Sequence, residues 1–125
     1  MDQELKEQLK NAGVDVDTGL KRFMNNEALY MKFLNKFLTE PTYEQLRECI
    51  QKEDYPEAFR QAHTLKGVSA NLSLTLLADK VSELVELLRN CENPTEEVSA
   101  KAKEYMDEIT ERYLEVSSIL TENEK

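Results

Sequence analysis

Apolar residues recur along this chain at spacings of three and four, the period of helices that bury one face. Leu5, Leu9 and Ala12 predict a short amphipathic helix over residues 2–12, ended by Gly13. Asp17-Thr18 opens a second short helix through Leu20, Phe23 and Met24, and Asn25-Asn26 breaks it. From Glu27, the residues Tyr30, Phe33, Leu34, Phe37 and Leu38 form a strong stripe that reads as core. Pro41 interrupts it, either kinking the helix or opening a new one at its first turn. Tyr43, Leu46 and Ile50 then carry the stripe to about Lys52. Asp54 is a candidate N-cap for the next helix, which runs to about Leu72. Leu74, Leu77, Val81, Leu84, Leu88 and Cys91 follow in alternating steps, a seam suited to shallow crossing angles in a bundle. Asn93-Pro94-Thr95 reads as a turn. Val98, Ala102, Tyr105, Ile109, Tyr113, Val116 and Leu120 mark the last helix, with Thr121 to Lys125 expected to fray.

Four long helical segments joined by short connections predict an all-α fold, an antiparallel up-down four-helix bundle. In this reading residues 1–125 form one domain. The short helices of Asp2–Met24 cap one end of a bundle spanning Glu27–Leu120. The composition agrees: three glycines, three prolines and no tryptophan in 125 residues favour helix over sheet. A monomer is expected, because the seam of apolar residues is used within one bundle.

Charge narrows the partners. A formal net charge of −9, with no basic stripe, disfavours binding to nucleic acid or to an anionic membrane. Cys49 and Cys91 both fall on apolar stripes and read as buried free thiols of a reducing compartment. The opening residues lack the basic and apolar regions of a secretory signal, and no apolar run approaches the roughly 20 residues of a membrane span. A cytoplasmic location is the expectation.

The chemistry concentrates on one helix. Ala58, Ala62, Leu65, Ser69 and Leu72 make its core stripe, and His63, Lys66, Gly67 and Ala70 make a second stripe at the same spacings. At about 100° per residue, His63 points roughly 140° away from the centre of the core stripe. The single histidine of the chain therefore faces solvent, with a cation one turn on and a bare backbone patch beside it. A lone histidine is ordinarily a packing or surface residue, a lone lysine a solvated charge, and a lone glycine says little. Their combination on one outward face points to a reactive group that another protein must reach. A neutral imidazole is a nucleophile near physiological pH, its free pKa being about 6.5. A phosphoryl group on it would meet the Lys66 ammonium. Glycine costs about 1 kcal/mol relative to alanine inside a helix. On an outward face the return is access for a partner's loop, and Ala70 extends the flat patch.

Other chemistries lack their residues. One histidine cannot build a His-rich zinc site, and the two cysteines lack ligand spacing. Gly13, Gly19 and Gly67 form no nucleotide-binding loop, so no ATP binding and no autonomous kinase activity are expected. Glu96-Glu97 and Asp107-Glu108 read as solvated helix faces, and no base accompanies the serines and threonines.

The run Ala62-His63-Thr64-Leu65-Lys66-Gly67, followed by Ser69 and Asn71-Leu72, resembles the signature of histidine-containing phosphotransfer (HPt) domains. Gly19-Leu20-Lys21-Arg22-Phe23, Leu29-Tyr30 and Phe33-Leu34-Asn35-Lys36-Phe37 resemble the usual approach to that motif, and Leu77, Val81, Leu84 and Leu88 the helix after it. The resemblance implies a phosphorelay intermediate of two-component signalling. His63 would accept a phosphoryl group from an aspartyl phosphate on one receiver domain and pass it to the aspartate of another. Lys66 would steady the charge, and Gly67 and Ala70 would receive the docking receiver. The implied partners are response-regulator receiver domains and a hybrid histidine kinase. No resident cofactor or metal is implied, Mg²⁺ being brought by the receiver. The family often places a polar side chain from the neighbouring helix near the imidazole; an antiparallel turn near residues 72–73 makes Ser82, Glu83 and Glu86 the candidates. It also often has glycine after Asn-Leu, where Ser73 stands here, a residue able to cap the next helix. Two other readings compete: a phosphoacceptor domain excised from a chemotaxis-type histidine kinase, and a helical-bundle adaptor or scaffold without phosphotransfer. The intact His63-Lys66-Gly67 face argues against the last.

Overall fold

Side-chain caps start most of the helices. The computed structural model describes residues 1–91 and 93–123, and among them the regular structure is entirely α-helical: α1 (Gln3–Asn11), α2 (Val16–Arg22), α3 (Glu27–Thr39), α4 (Thr42–Gln51), α5 (Tyr55–Asn71), α6 (Thr75–Leu88) and α7 (Glu96–Glu122). Asp2, Asp15, Asn26, Asp54 and Thr95 each accept a hydrogen bond from the backbone N–H three residues on, satisfying a donor the helix leaves free. The cap of α2 is thus Asp15, two residues before the Asp17 expected from sequence; Asp17 instead pairs with Lys6 and Lys10 of α1.

Pro41 divides α3 from α4. The residue before a proline is pushed out of the helical region, and Glu40 is extended there, with φ −68° and ψ 135°. Pro41 itself stands at the N-cap of α4. Of the two outcomes open for this proline, a new helix is the one realised.

The helices α4, α5, α6 and α7 pack as successive neighbours, and α7 returns against α4, closing a bundle around one core. The N-terminal α1 lies against α7 and α2, burying Leu5, Leu9 and Ala12 as their spacing predicts. Leu34, Leu46, Leu65, Leu84, Ile109 and Leu120 are among the fully buried side chains. No helix among the described residues is long and apolar enough to cross a membrane.

Several positions depart from the apolar pattern. Met24 is 86% exposed, because the chain leaves α2 through left-handed residues at Met24 and Asn25. Phe33 is 38% exposed and rests against Phe23 with ring centroids 5.3 Å apart, at the rim of the core rather than inside it. The seam of α6 ends at Leu88: Arg89 is extended and Asn90 left-handed, so Cys91 lies beyond the helix. Both cysteines are free and only half-buried. The final helix continues through Thr121 and Glu122, where fraying was expected, and Glu124 and Lys125 lie outside the described residues.

Ser73 does not cap α6. It takes the left-handed conformation, φ 60°, that a glycine would adopt after a helix. The N–H of Leu74 reaches back to the Ser69 carbonyl at 2.9 Å, the long bond of a Schellman ending. The Ser73 hydroxyl is buried without a hydrogen-bond partner, and α6 starts at Leu74 with no side-chain cap.

Candidate functional site

The helix α5 orients the site. Asp54 caps it, Pro56 occupies its first turn, and Glu57 places a negative charge near the positive end of its dipole. Ala58, Ala62, Leu65 and Ser69 are buried along its inner side. The Ser69 hydroxyl donates to the Leu65 carbonyl at 2.7 Å, which lets a polar residue occupy a core position. At the far end, the Tyr30 hydroxyl donates to the Leu72 carbonyl at 2.8 Å and ties α3 to α5. Burial holds the Tyr30 phenol well above its usual pKa, with a smaller push from Asp15. Gly19 lets α2 approach this phenol: a Cβ there would collide with the Tyr30 ring.

With the inner side fixed, the outer side is set. His63, Thr64, Gly67 and Ala70 are exposed, and Lys66 is half-buried. A Cβ added to Gly67 would meet nothing within 4 Å, so this glycine serves no packing contact. Among the described residues, no side chain hydrogen-bonds the imidazole; its aromatic neighbour is Phe59, one turn back, with ring centroids 6.2 Å apart.

Two hollows flank this face. One, of about 480 Å³, lies towards α3 and is lined by Phe33, Lys36, Gly67 and Asn71 among others. The second, of about 450 Å³, is lined by Phe59, Arg60, His63, Thr64 and Arg89. Arg89, just past α6, stands 5.6 Å from the centre of the Phe59 ring. On the side of Ala70, the Arg22 guanidinium donates to the Ala70 carbonyl.

The three polar residues expected near the imidazole from α6 are placed differently from one another. Ser82 is half-buried. Glu83 pairs with Lys80 at 3.5 Å, and Lys80 also reaches Glu108 of α7 at 3.3 Å, so that carboxylate belongs to the α6–α7 side. Glu86 accepts from Arg89 at 2.9 Å. That bond and the charge of Arg89 hold its carboxyl below the usual range, with a lesser contribution from Lys66. Glu86 is therefore the member of the three linked to the cations around His63.

Sequence reasoning missed Phe59, Arg60, Arg89 and Arg22. Phe59 and Arg60 precede His63 by four and three residues on the same helix, a spacing that places side chains side by side. Arg89 and Arg22 come from other elements, and no local spacing announces them.

Chemically, the face offers an exposed nucleophilic nitrogen, nearby ammonium and guanidinium groups, and unobstructed backbone. These suit the handling of a small anionic group presented by another macromolecule. The searches of curated proteins and of solved structures gave no match. The family model described as Hpt domain matches residues 33–116, from α3 well into α7, with His63 and both hollows within the matched span. Since that match covers more than half of the chain, the protein belongs to the Hpt domain family, the histidine phosphotransfer domains of two-component and phosphorelay signalling.

Proposed function

We propose that this protein is a phosphorelay intermediate in which His63 accepts a phosphoryl group from a receiver-domain aspartyl phosphate and delivers it to the aspartate of another receiver. The observation that carries the reading is the exposed imidazole beside Gly67, where an added Cβ would meet nothing within 4 Å. In the forward step, the lone pair of a ring nitrogen attacks phosphorus. The P–N bond forms as the P–O bond to the aspartyl carboxyl breaks, and the carboxylate leaves with the electron pair. The return step reverses this at the second receiver. Phosphoryl transfer of this kind depends mainly on positioning and on charge stabilisation. Lys66 supplies positive charge for the phosphoryl oxygens, and Gly67 and Ala70 leave room for the receiver's active-site loops. The receiver brings the Mg²⁺.

Incubation with a phosphorylated receiver and ³²P should transfer label to the wild-type chain as an acid-labile, base-stable phosphoramidate. His63→Gln should abolish that label and leave helicity unchanged, because an exposed side chain contributes little to stability. Persistent labelling of the variant would place the acceptor elsewhere.

A further inference from the structure

On the His63 side of the bundle, Arg89 is held by a neighbouring anion. Its Nη2 donates to Glu86 Oε1 at 2.9 Å and its Nε to Oε2 at 3.4 Å, a two-point grip on one carboxylate. The same guanidinium stands over Phe59, whose ring neighbours the imidazole, and it lines the hollow that His63 opens into. The second cation of that hollow, Arg60, pairs with Glu57 at 2.8 Å. The Glu86 carboxylate thus partly neutralises a cation of the hollow that His63 lines.

An exposed ion pair between residues three apart is weak and easily exchanged. A phosphoryl group is a stronger competitor: it carries a charge of about −1.5 to −2 near neutral pH and three acceptor oxygens. We propose that Glu86 is a stand-in anion, holding Arg89 while His63 is unmodified and releasing it to the phosphoryl group when His63 is phosphorylated. Glu86 is then a positioning residue. Its competition lowers the affinity of the site for the phosphoryl group, which keeps His63 a point of transit. This inference rests on the reading of His63 as the acceptor.

The test uses the whole chain at low salt and a small donor, phosphoramidate, at a fixed ratio to ammonium. The imidazole displaces ammonia from phosphorus: one P–N bond forms, another breaks, and the ammonia leaves with the electron pair and a proton. The ratio of phosphorylated to free His63 is read by ³¹P NMR, with helicity measured in parallel. Glu86→Gln should raise that ratio about two- to fivefold, the size expected for an exposed charge pair. Arg89→Ala should lower it by a similar factor, and Arg89→Lys should keep most of the wild-type value. In Glu86→Gln/Arg89→Ala the gain from losing Glu86 should shrink, since the two residues act as one unit. At about 1 M salt all the differences should contract. Equal ratios in wild type, Glu86→Gln and Arg89→Ala, with His63 labelled, would overturn the stand-in role and leave the acceptor role standing. A lower ratio in Glu86→Gln would overturn it as well. Absence of label on His63 in the wild type would overturn both.

Discussion

On the inner side of α5, Ala58, Ala62, Leu65 and Ser69 are packed out of contact with solvent, while on its outer side His63, Gly67 and Ala70 lie open. Volume is constrained on the first side, because interiors are close-packed and adjust little to lost or added atoms. Reach is constrained on the second. The glycines repeat the contrast. A Cβ at Gly19 would run into Tyr30, whereas one at Gly67 would enter empty space. The same residue type therefore serves packing in one place and leaves surface open in the other. Substitutions should separate accordingly, into those that change stability and those that change transfer.

The largest effect on stability is expected at Leu65, which is 1% exposed. Leu65→Ala should lower the unfolding free energy by about 2–5 kcal/mol in urea denaturation. The protein that remains folded should still accept phosphate on His63. An unchanged midpoint would mean that the inner side tolerates a void and would erase the contrast.

Tyr30→Phe comes next. It leaves the buried Leu72 carbonyl without its donor, at a cost of about 1–3 kcal/mol. The pH dependence should change too. Burial raises the folded-state pKa of Tyr30 above its unfolded value of about 10. Its contribution is thus fully present below pH about 10 and lost as pH rises further, because the unfolded chain ionises first. Wild type should therefore lose stability in alkaline denaturation faster than Tyr30→Phe does. Parallel curves for the two would remove Tyr30 as the strut between α3 and α5.

Gly67→Gln sharpens the comparison from the other side. Replacing glycine within a helix should add up to about 1 kcal/mol of stability. The new side chain stands on the His63 face, so transfer from a phosphorylated receiver should slow, while labelling by phosphoramidate changes much less. An unfolded variant would put Gly67 in a packing contact. A stable variant with normal transfer would move the docking surface elsewhere.

The smallest change is expected at Ser73, where α5 ends. A left-handed conformation costs a non-glycine residue roughly 1–2 kcal/mol. Ser73→Gly should recover about 0.5 kcal/mol after the extra entropy of the unfolded glycine is counted, with no effect on transfer. A loss of stability on thermal denaturation would mean that the buried hydroxyl is useful where it stands.

Much of α5 was legible from spacing. Which residues share a helical face follows from a fixed rotation per residue, so the inner and outer stripes were both readable without a partner helix. The Asp54 cap was readable for the same local reason. Phe33 misled because periodicity assigns a face but does not say whether anything covers it; at the rim of the core, part of that ring meets solvent. Ser73 misled because serine is a good cap by propensity. The turn geometry between two packed helices took precedence and used its backbone in the conformation glycine prefers.

Local spacing was enough for the helical class, the core stripe of α5 and the outward placement of His63, Gly67 and Ala70, since all of these depend on neighbours within one or two turns. The tertiary packing alone set Arg89 over Phe59. Only it showed Arg22 reaching the Ala70 carbonyl and Tyr30 binding the end of α5. Those contacts join residues far apart in the chain. Their geometry depends on how α2, α3 and α6 pack against α5, which no periodicity within a single helix encodes.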